Sequence, residues 1–185
     1  MVFQLEDVVG LVGVAQAPDR AGAEVAGQMA RSVTAVAERA PEGARFGIHL
    51  CLGDFKHEAI ARMRDVRPLV LMANEIAGAW PSGRPLDYVH APFAAASEPP
   101  ISGEEWYAPL ADLRLGDDTR FVAGFIHESL DLERHRELLE RIETLTGRGV
   151  DVAAACGLGR RPTPDQAWDA MSNAVALIEQ PATVR

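Results

Sequence analysis

Phe46-Gly47-Ile48-His49-Leu50-Cys51-Leu52-Gly53-Asp54 is the stretch from which the rest of the chain can be read. A short apolar run closed by Gly-Asp reads as a strand. Strand side chains alternate faces, so His49 and Cys51, two positions apart, point the same way. Imidazole and thiolate both bind zinc, and the pair can supply two of its four tetrahedral corners. The other cysteine, Cys156, closes a second apolar run, Val150-Asp151-Val152-Ala153-Ala154-Ala155-Cys156-Gly157. Free cysteine is also among the most buried residue types, and a lone histidine is often a core residue. The pair alone leaves both readings open, and the other histidines bear on the choice.

The 185 residues fit one domain over 1–185, and 48% hydrophobic with 24% charged residues is the composition of a globular core. A net charge of −9 argues against nucleic acid or an anionic membrane surface as the main partner, since both need a basic face. A small anionic substrate remains compatible with it. Two cysteines, no basic and apolar leader after Met1, and no run of eighteen apolar residues together predict reduced thiols in a soluble, cytoplasmic protein.

From the amino end, a very short strand over 2–5 delivers Gln4 and Glu6 to its end, followed by an apolar stretch over 8–16 without clear period. Pro18-Asp19 opens a helix with Ala21, Val25, Met29, Val33 and Val36 on one face, ended by Pro41-Glu42-Gly43. After the strand over 46–51, short helical patterns cover 56–64 and 68–80, the latter with Leu69, Met72, Ile76 and Trp80 at helical spacing. A second strand over 86–92 carries His90 near its end. Ser102 with Glu105 forms a capping-box pattern before Trp106 and Leu110. The third strand, 120–127, ends in His127. Ser129 or Asp131 then caps a helix with Leu132, Leu138, Leu139, Ile142 and Leu145, and the fourth clear strand, 150–156, ends in Cys156. Thr163-Pro164-Asp165-Gln166 opens a last helix on which Trp168, Met171, Val175 and Ile178 share a face.

Strands alternating with helices imply α/β architecture with a parallel sheet, and the near-continuous apolar runs imply burial on both faces. His49, His90, His127 and Cys156 all fall at or near strand carboxyl ends, the edge where parallel α/β folds bind ligands. His57 and His135 fall in helical patterns and read as solvated. The clustering favours chemistry over core packing.

The segments Gln4-Leu5-Glu6, Gly47 to Asp54, Asp87-Tyr88-Val89-His90-Ala91-Pro92, Gly124-Phe125-Ile126-His127 and Cys156-Gly157-Leu158-Gly159-Arg160-Arg161 resemble the catalytic barrel of cobalamin-independent methionine synthase. Its wider group includes uroporphyrinogen decarboxylase and zinc methyltransferases acting on coenzyme M. The resemblance implies a (β/α)8 TIM-type barrel in which zinc activates a small thiol that then accepts a methyl group from a donor. Carried over by motif, His49, Cys51 and Cys156 match the zinc ligands. The family's carboxylate ligand falls where this chain has His90, with Glu75 a weaker alternative. His127 matches a proton-relay histidine, and His127 or Glu6 would be the acid that protonates a nitrogen leaving group. Gln4 and Asp54 fall within the matching segments as substrate-binding positions. Arg160 and Arg161 are either an anion clamp for a carboxylated substrate or a solvated pair before the last helix.

Counting the stretch over 2–5, the chain supplies about five strands, the later part of an eight-stranded barrel. The expectation is therefore a truncated, partial barrel completed by a partner chain or by a second copy in a homodimer. Its edge strands and open inner face would be association surfaces, with 2–5 and 8–14 at the contact. Against the methyltransferase reading stands a non-catalytic or metal-binding half-barrel that completes a partner. A uroporphyrinogen decarboxylase-like lyase would use no zinc, and the cysteines argue against it.

Overall fold

The computed structural model describes residues 1–18 and 20–179. The chain runs β1 (Val2–Asp7), α1 (Val8–Gln16), α2 (Gly22–Arg39), β2 (Arg45–Leu50), β3 (Asp54–Phe55), β4 (Glu58–Ala59), α3 (Arg67–Ala79), β5 (Leu86–Pro92), α4 (Glu104–Tyr107), β6 (Arg120–Ile126), α5 (Leu132–Thr146), β7 (Asp151–Ala154) and α6 (Pro164–Glu179). Five strands form one sheet in the order β1-β2-β5-β6-β7. Every pairing in it is parallel, so each strand is added beside its predecessor after a crossover. The sheet is not closed: β1 and β7 are not paired.

The core lies on the helical side. Ile48, Leu50, Val89, Ala91, Phe121, Ala123 and Phe125 are buried there in one cluster with Leu11, Leu69, Met72, Ile76, Leu138 and Ile142 from the helices. Burial on both faces holds toward the carboxyl ends of β2 and β6, where residues 46–50 and 123–126 are all buried, but not along β1 or β7. The other face carries Gln4, Glu6, His49, His90 and Ala153 into an open cavity, with α6 along one wall.

Several local expectations are corrected by the fold. The stretch over 8–16 is a helix, capped by Asp7, whose side chain accepts a hydrogen bond from Gly10 N–H at 2.8 Å. The segment over 56–64 is not helical. It contains the antiparallel hairpin β3–β4, whose turn residues Lys56 and His57 have φ of 55° and 64°. Such left-handed residues suit the twist of a two-residue hairpin. The cost of about 1 kcal/mol or more for each is offset locally, because Asp54 accepts His57 N–H at 2.9 Å and Ile60 and Ala61 donate to Gly53 and Leu52.

The Ser102–Glu105 capping box does not form. Gly103 caps α4 without a side-chain bond, and the segment is anchored instead by Trp106 donating to Met63 and Tyr107 to Ile101. Thr163 and Gln166 do form the reciprocal cap of α6, and Asp131 caps α5. The turn before α2 begins at Pro18, while the other half of the predicted opening, Asp19, lies outside the described residues.

Two helices bury alanines ahead of their larger residues. On α2 the fully buried positions are Gly22, Ala26, Ala30, Thr34 and Ala37, while Val25, Met29 and Val33 are partly buried against the core and Val36 is exposed. On α6 they are Ala170 and Leu177, while Trp168, Val175 and Ile178 are exposed. Alanine faces let helices approach closely, and interhelical distance follows the side chains at the contact. Close packing of α2 on α3 and of α6 on α5 outweighed full burial of the bulkier stripe. No helix among the described residues is long and apolar enough to cross a membrane.

Candidate metal centre

β2 ends at Leu50, and Cys51 N–H donates to Asp7 O at 3.1 Å, continuing the β1–β2 ladder by one residue. His49 and Cys51 are thereby held on the same side, both buried. Cys156 lies two residues beyond β7, and its Sγ is 3.6 Å from Cys51 Sγ. One donor atom from each of His49, Cys51 and Cys156 lies within 4.8 Å of the others. Both thiols are free.

The spacing can be tested against a bound ion. Two thiolates at about 2.3 Å from a tetrahedral zinc stand roughly 3.8 Å apart, close to the 3.6 Å found here. His49 Nδ1 is buried with no hydrogen-bond partner, which is costly unless that nitrogen or its ring has another use. Donor type and spacing fit a metal ion, which the three residues could hold.

The thiols are electrostatically unequal. The hydrogen bond from Cys51 lowers the Cys156 thiol well below its ordinary value, and His49 reinforces this. The same bond, with burial, pushes Cys51 up. The pair shares one proton, with thiolate character on Cys156.

The cavity facing this cluster measures about 540 Å³ and is lined by Gln4, Glu6, His49, His90, Cys156 and Arg160, among others. His90 is not brought into the donor cluster. Its ring stacks on that of His49, with centroids 4.5 Å apart, and its Nε2 donates to Ala154 O at 3.0 Å. Burial, then the neighbouring His49, lowers its pKa to about 4, so the ring is neutral near pH 7. Glu6 pairs in register with His49 and is exposed to the cavity. Gln4 Oε1 accepts the Tyr88 hydroxyl at 2.9 Å. Glu75 is exposed on α3, in the helical layer, and lines neither the cavity nor the cluster.

A second, polar group sits behind Cys156. His127, Asp54 and Arg161 line a small cavity of about 10 Å³ together with Cys156, enough for about one water molecule. His127 is fixed on three sides. Its Nδ1 accepts from Ser129 Oγ at 2.8 Å, its Nε2 donates to Ala96 O at 3.3 Å, and its backbone N–H donates to His135 Nε2 at 3.1 Å. Burial lowers the pKa of both His127 and His135. Arg161 is buried and paired with Glu128 at 3.1 Å, whereas Arg160 is exposed on the open cavity. Glu128 also lies 3.7 Å from His57. The expectation of solvated His57 and His135 is thus reversed, since both are buried.

Tyr88, Glu128, Ser129 and His135 complete these surroundings and were not picked out from sequence. Ser129 was legible only as a helix cap, and a residue two after a strand-end histidine is well placed to reach its ring. Glu128 and His57 meet across separate loops, and no local pattern marks them.

Fold and site together define an α/β protein with a five-stranded parallel sheet and a His-Cys-Cys cluster at its carboxyl edge that could take a metal ion. No protein-family model, curated protein or solved structure matches the chain.

Proposed function

We propose that the chain is a zinc-dependent transferase that passes a methyl group to a small thiol, with the sheet as an arc of a methionine synthase-like (β/α)8 barrel. The observation that carries the reading is the His49–Cys51–Cys156 cluster, which opens on a cavity rather than on solid core. Three protein donors leave the fourth position of a tetrahedral zinc for substrate, as a catalytic site requires. The one-step strand order fits an arc of barrel. Zinc, when bound, would hold the acceptor sulfur as a thiolate near neutral pH.

This chain's residues would do the rest. The sulfur attacks the methyl carbon, the carbon–nitrogen bond breaks with its electrons to nitrogen, and the proton given up by the thiol ends on that nitrogen. Glu6, exposed on the cavity, is placed to deliver it. His127, held neutral by burial, keeps its unprotonated Nδ1 toward Ser129 and serves as a relay behind Cys156. Arg160, on the cavity wall, is the cation for a carboxylated substrate; Arg161, spent on Glu128, supports the loop. Gln4, on the cavity wall and fixed by the Tyr88 hydroxyl, would meet substrate directly, and Asp54 acts on the hairpin turn.

A further chain, in the simplest case a second copy, would cover the open face and the β1 edge, where Val2, Phe3 and Val9 are exposed. Light scattering that gives a concentration-independent mass near the 19.9 kDa of one chain would refute that cover.

The test of function has two arms. Elemental analysis should find about one zinc per chain in the wild type and none retained by Cys51→Ser or Cys156→Ser after dialysis against a weak chelator. In the cobalt-substituted protein, added thiols should strengthen the sulfur-to-cobalt charge-transfer band. A stoichiometric site that ignores every thiol would be structural, and the chain a non-catalytic metal-binding half-barrel.

A further inference from the structure

We propose that His90 is a positioning residue of the metal centre, which holds His49 on β2 in register with Cys156 beyond β7 without itself donating to the ion. The inference rests on the reading of His49, Cys51 and Cys156 as metal donors.

β5 is the central strand of the five, and Tyr88 and His90 leave it on the open face. His90 is the register partner of His49 on the neighbouring strand and stacks on its ring at an interplanar angle of 30°. In the other direction it crosses β6 to reach Ala154 O on β7, two residues before Cys156. One side chain therefore touches both strands that deliver donors. Its Nε2 is spent on Ala154 and its ring face on His49. Outer contacts set the ring orientation of metal-binding histidines, commonly by hydrogen bonds; here the contact on the His49 ring is the stacked His90 ring.

The crossing requires a gap in β6, and Gly124 supplies it. A Cβ at that position would stand 2.8 Å from His90 Nε2, 2.8 Å from Ala91 O and 2.9 Å from Ala155 Cα. Tyr88 makes the mirror crossing and provides an internal control. Its ring lies over Gly47, where a Cβ would be 2.1 Å from ring carbon, and its hydroxyl reaches Gln4 on β1. The Tyr88 crossing leads away from Cys156, so it braces the sheet without bearing on the donors.

Zinc affinity by competition with a chromophoric chelator, together with the cobalt spectrum, tests the assignment. His90→Phe keeps the ring and loses the bond to Ala154, while His90→Leu loses both the ring stack and the bond. Both should weaken zinc binding about 10- to 100-fold, with one ion per chain and the two-thiolate charge-transfer intensity unchanged. His90→Gln, which can still donate to Ala154, should recover part of the loss, and Tyr88→Phe should bind zinc like the wild type. If His90→Phe does not fold, the smaller His90→Leu decides the matter. Unchanged affinity in the folded variants would overturn the assignment, and so would loss of an imidazole nitrogen from the cobalt coordination of His90→Phe, which would make His90 a donor. A wild type that binds no zinc overturns the metal reading and this assignment together; a wild type that binds tightly, with the variants equal to it, overturns this assignment alone.

Discussion

The face of the sheet turned to the helices carries Ile48, Leu50, Val89, Phe121 and Phe125, none more than 1% exposed. The face turned away carries Gly47, His49, Tyr88, His90 and Gly124, where two glycines make room for rings that lie flat across neighbouring strands. On the first face, burial of large apolar side chains drives folding at about 25 cal/mol per Å². On the second, small residues and polar rings meet a cavity, and each polar atom needs a partner or a use. The contrast separates what makes this chain fold from what makes it chemically capable.

Truncating a side chain on each face should separate the two most widely. Phe121→Ala should cost about 3–5 kcal/mol by cavity creation. Val122→Ala, one residue on and half-buried on the other face, should cost about 1 kcal/mol or less. Urea unfolding compares them, and equal costs would mean that the open face is core as well.

Next in size is the effect of zinc. At a hundredfold excess over its Kd, zinc should stabilise the wild type by about 2.7 kcal/mol, a rise in Tm of roughly 5–10 °C for a chain of this length. The double variant Cys51→Ser/Cys156→Ser should show no rise. An equal rise in that variant, read by thermal melting, would move the site off the open face.

Acid should separate the faces more gently. Burial lowers the pKa of His135, which is fully buried on α5 beside Phe125. The unfolded chain therefore binds more protons than the folded one as pH drops below about 6.5, so stability rises with pH through that window and is lost on acidification. The urea midpoint should fall between pH 7.5 and pH 5. His135→Gln keeps an acceptor for His127 N–H and should flatten that slope. A slope unchanged by the substitution would assign the loss to other groups.

The smallest effect belongs to Tyr88→Phe, which removes a partly exposed hydrogen bond to Gln4. About 0.5 kcal/mol is expected. A cost above 2 kcal/mol in the same urea measurement would make the open face a larger contributor to folding than its exposure implies.

Much of the architecture was legible in the chain. Strands at 46–51, 86–92 and 120–127 announce themselves by apolar runs between turn residues, and α/β alternation follows from the helical periods between them. The candidate site was legible for the same reason: period-two alternation puts His49 and Cys51 on one side, and a second run ends in Cys156. Less legible were the faces of α2 and α6, because alanine is apolar yet carries little weight in a pattern of large residues. Nor did Lys56-His57 advertise a left-handed hairpin turn, since neither residue is Gly, Asn or Asp.

By itself, then, the order of residues determined which segments are strands and which donor types stand at their ends, because alternation and helical period are local properties of the backbone. It did not determine that Cys156 comes to 3.6 Å from Cys51, that His90 turns its nitrogen to Ala154 and away from the cluster, or that His57 and His135 are buried. Those depend on strand order, on the close approach that Gly124 permits and on loops meeting at the sheet edge. Such contacts join residues far apart in sequence, and only the packed structure brings them together.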